Sequence, residues 1–110
     1  MNDPTRDDRM TTTARWLEAE LARLDREYDG TVDELTDCER ATLEALASRA
    51  KADGAVIATR AELAVATGCS VADIIAGEQW LRWRGSLNAK ASRNNPRVMV
   101  YRLRGWERGA

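Results

Sequence analysis

The sequence predicts a mainly α domain with a small β-hairpin, preceded by an extra N-terminal amphipathic helix. Three observations carry this reading. Apolar residues recur at helical spacing before residue 85, capping residues and glycines punctuate those stretches, and only the last third holds alternating, β-type runs. At 110 residues, 44% of them hydrophobic and 32% charged, the chain has room for a single core and is too apolar to stay disordered.

Residues 1–12 are polar, contain Pro4 and show no period, which reads as a disordered arm. In the segment 13–30, Ala14, Leu17, Leu21, Leu24 and Tyr28 follow alternating spacings of three and four, the seam of a coiled coil. So narrow a stripe either packs on the following domain or pairs with its copy, which makes Leu17, Leu21, Leu24 and Tyr28 the candidate residues for a homodimer. Asp29-Gly30 stops this helix. Thr36 and Glu39 form a capping box that opens the second helix, whose face is Leu43, Leu46, Ala47 and Ala50 and which Asp53-Gly54 ends. A β-branched run, Ala55 to Ala58, leads into a second capping box at Thr59 and Glu62. The third helix then runs from about Arg60 to Thr67, Gly68 breaks it, and Ser70 caps a fourth that Gly85 closes. Leu87–Ser92 and Arg97–Leu103 alternate around Asn94-Asn95-Pro96, which is turn chemistry. Met99, Tyr101 and Leu103 fall on one face of this hairpin, and Val98, Val100 and Arg102 on the other.

A short helix, a glycine turn and a helix starting at Ser make a helix-turn-helix pattern. Together with the strand before it and the hairpin after it, the segment 35–105 resembles the winged helix-turn-helix domains of phage and plasmid replication proteins and small bacterial transcription regulators. The resemblance rests on Leu35-Thr36, Glu39, Leu43, Leu46-Ala47, Ala50, Asp53-Gly54, Glu62-Leu63-Ala64, Thr67-Gly68, Ser70, Ile74, Leu81, Arg84-Gly85, Leu87 and Val100-Tyr101-Arg102-Leu103. It implies that the fourth helix enters a major groove and that the hairpin is a wing on backbone or minor groove. Residues 106–110 are left as a tail.

Charge supports a polyanionic partner. The total is −1, but residues 1–79 carry nine Lys/Arg against seventeen Asp/Glu, whereas residues 80–110 carry eight against one. This basic third is the footprint that phosphates attract, which points to Arg82, Arg84, Lys90, Arg93, Arg97 and Arg102 as backbone contacts. On the fourth helix a 100° turn per residue puts Ile74, Gly77, Glu78, Leu81 and Val71 toward the core. Ala72, Ile75, Ala76, Gln79 and Trp83 then face outward, with Ser70 at the helix start. That face lacks Arg and Lys, and Gln79 alone among these residues suits a bidentate base contact. Glu78 stands where the family prefers leucine, so a buried carboxylate needs Arg60 or Arg82 as partner.

Two functions fit. The first is a double-stranded DNA-binding regulator or accessory factor of bacterial or phage type, held by wing arginines with helix 71–84 in the groove. The alternative is a protein-binding winged helix that inhibits or recruits a partner protein through the apolar face of that helix. Trp80 is expected to cover the hairpin and Trp106 the second helix. An enzyme is not expected: histidine is absent, which removes Ser/His and Cys/His nucleophiles and His-containing zinc sites, and no cofactor or metal is indicated. Cys38 and Cys69, without a CxxC spacing, read as small buried hydrophobes rather than a bridge. No membrane span or signal peptide is visible, so the expected location is the cytoplasm.

Overall fold

Side-chain caps decide where the helices begin. The Thr36 hydroxyl accepts the Glu39 N–H at 3.2 Å and opens α2 (Asp37–Arg49). Thr59 and Glu62 exchange N–H and side-chain oxygens at 3.1 Å in each direction, a complete capping box for α3 (Arg60–Thr67). Ser70 accepts the Asp73 N–H at 3.1 Å and opens α4 (Val71–Trp83). At α2 the expected box is only half made, because the Glu39 carboxylate turns away from the backbone to the Thr36 hydroxyl and to Arg84.

The computed structural model describes residues 4–106, with side chains from residue 12 onward; residues 1–3 and most of the expected tail, 107–110, lie outside the described residues. Four helices and three strands follow in the order α1 (Pro4–Tyr28), α2, β1 (Ala55–Thr59), α3, α4, β2 (Leu87–Ala91) and β3 (Val98–Leu103), giving a mixed α/β chain. The strands form one antiparallel sheet in the order β1-β3-β2. Ile57 lies opposite Val100, and Val100 opposite Lys90, so one register runs across all three strands. Period-two alternation sends Val56, Ala58, Met99, Tyr101, Leu103 and Leu87 inward, where they meet Leu43, Leu46, Leu63, Ile74 and Leu81 from the helices. Each of the leucine, isoleucine and valine side chains at full burial contributes about 1.5–3 kcal/mol of transfer free energy. No helix among the described residues is long and apolar enough to cross a membrane.

Several expectations are corrected. Helix α1 starts at Pro4, so residues 4–12, read as an arm, continue the helix; proline suits a first helical position because its missing N–H would be unpaired there anyway. The seam of α1 packs on its own chain. Leu24 is fully buried and Leu17, Leu21 and Tyr28 pack partly on the core, which leaves part of each of those three side chains in solvent. Trp16, which the seam pattern passed over, is buried beside them and donates its indole N–H to the Arg104 carbonyl at 2.9 Å. Helix α2 ends at Arg49 rather than near Asp53, whose carboxylate instead accepts the Ala55 N–H at 3.1 Å.

Trp106, assigned to the tail, belongs to the core: its ring lies 5.7 Å from that of Trp16 and its indole N–H donates to Ala52 O at 3.1 Å. It meets α1 and the α2–β1 turn rather than covering α2. This requires glycine at position 54, where φ is +82° and any Cβ would sit 2.7 Å from Trp106. The cysteines are also corrected, since Cys38 in the first turn of α2 and Cys69 in the α3–α4 turn form a disulfide with a Cα–Cα distance of 6.2 Å. Their 31-residue separation in sequence hid a contact that the packing of α2 against α3 and α4 creates.

Candidate nucleic-acid interface

The hairpin tip is built by side-chain turns. Ser92 Oγ accepts the Asn94 N–H at 3.3 Å, and Asn95 Oδ1 accepts the Arg97 N–H at 3.0 Å. These bonds hold the turn without using the flanking guanidinium groups, and Arg93 and Arg97 both stand exposed beside it. Lys90 and Arg102 project from the outer face of the sheet around a shallow recess of about 260 Å³ that Asn88, Ala89 and Val100 complete. Arg102 lies 3.8 Å from the Asp53 carboxylate, both groups being largely exposed, a contact that solvent screens. Lys90, Arg93 and Arg97 form no salt bridge with any described residue.

Along α4 the outward face is as the periodicity drew it, with one exception. Ala72, Ala76, Gln79 and Arg82 are exposed, Ile75 is half-buried, and Ser70 is exposed at the cap. Ile74, Gly77, Glu78 and Leu81 are buried, but Val71 is exposed because the first turn overhangs the core. Trp80 does not cover the hairpin. It remains 43% exposed and meets Trp83, 63% exposed, edge-on at 5.6 Å.

Arg84 is not available as a phosphate contact, which corrects its assignment. Its side chain is buried, bonded to the Glu39 carboxylate and to the Asp33 carbonyl, with the guanidinium 5.2 Å from the Tyr28 ring centre and 5.4 Å from that of Trp80. Burial pushes the guanidinium below its ordinary value, opposed by Tyr28 and Asp33. The Arg84 backbone carbonyl in turn accepts a bond of 2.8 Å from Arg23, itself paired with Glu20 at 2.5 Å and Glu27 at 2.9 Å, so polar groups staple α1 to the end of α4. Arg84 was legible as a cation but not as a buried one, because its partners come from residues 28–39.

Glu78 finds the first of its two expected partners. Arg60 bonds it at 3.0–3.1 Å through Nη2 and Nε, and the Tyr101 hydroxyl donates to the same carboxylate, while Arg82 stays in solvent. The Glu78 bond raises the Arg60 guanidinium above its ordinary value. Burial, followed by the Glu78 bond, holds the Tyr101 hydroxyl well above its ordinary value of 10.0. A group raised in the folded state contributes stability that is complete below the unfolded value and is lost as pH rises through the folded one. Stability is therefore expected to fall as pH climbs above 10, and Tyr101→Phe to flatten part of that fall, as read by urea melts at pH 8 to 11. An unchanged alkaline slope in the Phe variant would dismiss the effect.

No group of three His, Cys, Asp or Glu able to hold a metal occurs among the described residues. Comparison with known protein families, curated proteins and solved structures finds no match to this chain.

Proposed function

We propose that the chain is a winged helix-turn-helix protein that binds double-stranded DNA, acting in the cytoplasm as a regulator or accessory factor of bacterial or phage type. One observation carries this reading: three cations, Lys90, Arg93 and Arg97, stand exposed on and beside the hairpin with no described protein partner, in a segment whose charge is otherwise almost entirely positive. Unpaired cations on a rigid turn suit phosphates because their neutralisation releases counterions from the duplex. The strand order β1-β3-β2 and the pair α3 and α4 before the hairpin support the wing assignment. In this reading helix 71–84 lies in the groove, with Ser70, Ala72, Ile75, Ala76 and Gln79 toward the bases. With Gln79 its only side chain of bidentate type, affinity comes chiefly from backbone contacts and sequence discrimination is thin.

The test is a duplex titration by fluorescence anisotropy at several salt concentrations. Log affinity should fall linearly with log salt, and Arg93→Ala and Arg97→Ala should each weaken random and preferred duplexes alike and reduce the slope by about 1. A double variant that binds as the parent does would remove the wing from the interface. A second reading, protein docking through α4, is favoured by the exposure of Trp80 and Trp83, since large exposed aromatics are the usual anchors of protein interfaces.

A further inference from the structure

Tyr28, Trp80 and Trp83 form one aromatic cluster where the end of α1, the α1–α2 loop and the last turns of α4 meet. The two indoles are 5.6 Å apart at 89°, and Tyr28 lies 6.0 Å from Trp83. Rings at a right angle enclose a corner, and this one opens on a recess of about 490 Å³ lined by Asp33, Gln79, Trp80 and Trp83. By the helical turn of 100° per residue, Trp80 is on the edge of α4 opposite Ile75 and Arg82.

The chain segment that borders the recess is acidic. From residue 29 to residue 37 the loop carries Asp29, Asp33, Glu34 and Asp37 and neither Lys nor Arg. The Asp33 carboxylate takes part in no salt bridge or side-chain hydrogen bond among the described residues, although its charge acts on the Arg84 guanidinium and its backbone carbonyl accepts from Arg84. From the protein side, the same cluster already holds one guanidinium: Arg84 lies against Tyr28 and Trp80, its charge balanced by Glu39. The outer corner offers equivalent chemistry, indole faces and a carboxylate, with no described cation in it. A nucleic-acid phosphate placed there would meet the Asp33 carboxylate, so the recess is unsuited to the ligand inferred for the wing.

We propose that this recess binds an arginine side chain of a partner protein, the guanidinium lying on the indole faces of Trp80 and Trp83 and pairing with Asp33, with the Gln79 amide oxygen as a further acceptor. Arginine is favoured over lysine because its planar, weakly hydrated fork stacks on aromatic rings and bonds a carboxylate at the same time. The site gives the protein-docking reading a defined chemistry; it uses none of the hairpin cations, and Gln79 is the one residue it shares with the DNA reading.

The test follows the four indole N–H signals of the ¹⁵N-labelled full chain during titration with acetyl-Gly-Arg-Gly-amide. Trp16 and Trp106, whose indoles are hydrogen-bonded to backbone carbonyls, serve as internal controls. The arginine peptide is expected to shift Trp80 and Trp83 and leave the controls in place, and Asp33→Asn to weaken it about tenfold while the Trp16 and Trp106 signals keep their folded positions. Equal shifts by the citrulline peptide, which lacks the charge, would overturn the guanidinium site while leaving an apolar docking face. Larger shifts by thymidine monophosphate would overturn it in favour of base stacking. Shifts on concentration of the protein alone would give the corner to a second copy, and the absence of any shift at the two indoles would dismiss the site.

Discussion

Replacing Arg84 with alanine is expected to destabilise the fold by about 3–5 kcal/mol, the cost of leaving a buried charge without its partner. The Glu39 carboxylate would remain buried without its guanidinium, the Asp33 carbonyl would lose a charged donor, and the rings of Tyr28 and Trp80 would lose the group between them. Guanidinium chloride melts followed by tryptophan fluorescence measure the loss. The double replacement Arg84→Met with Glu39→Met should recover much of it, because two apolar side chains of similar length remove both desolvation penalties. The same variants decide whether Arg84 has any share in DNA binding. Below the unfolding transition their salt slope should equal the parent's, whereas Arg93→Ala lowers it. A parent-like stability with a reduced slope would return Arg84 to the interface.

The second large effect belongs to the disulfide. Closing a 31-residue separation between Cys38 and Cys69 restricts the unfolded chain enough to stabilise the fold by about 3–4 kcal/mol on the chain-entropy account. The bridge ties the first turn of α2 to the turn that sets Ser70, the cap of α4, so its loss loosens the entry of the helix read as the recognition element. Both cysteines are only partly buried, which leaves the sulfurs open to reductant. Urea midpoints of the parent should fall on adding dithiothreitol, and those of a Cys38→Ser/Cys69→Ser double variant should already be low and insensitive to it. A parent that holds its midpoint in dithiothreitol while two thiols are titrated would remove this contribution. A disulfide is unusual where glutathione maintains thiols, so in a cytoplasmic setting the less stable dithiol form is the resident state.

The two proposed sites have separate consequences for binding. In the proposed functions the hairpin cations would act through long-range, salt-sensitive attraction, and the corner at Trp80 and Trp83 through contact with a planar cation.

What the sequence by itself determined is local. Thr59, Glu62, Ser70 and Gly68 set the boundaries of α3 and α4 through bonds that reach three or four residues, and the alternation of Met99, Tyr101 and Leu103 set the inner face of β3. Glu78 was legible as a buried carboxylate in need of Arg60 or Arg82 because helical phase fixes which side of α4 it occupies, and the fold chose Arg60. Tertiary structure alone decided everything that joins distant segments: the burial of Arg84 on Glu39, the bridge between Cys38 and Cys69, the packing of Trp16 on Trp106, and the turning of the α1 seam inward. A guanidinium, a thiol or a leucine stripe carries the same chemistry in solvent or in a core. Which of these it meets depends on chain closure over 31 to 90 residues, as between Trp16 and Trp106, and no local spacing encodes that distance.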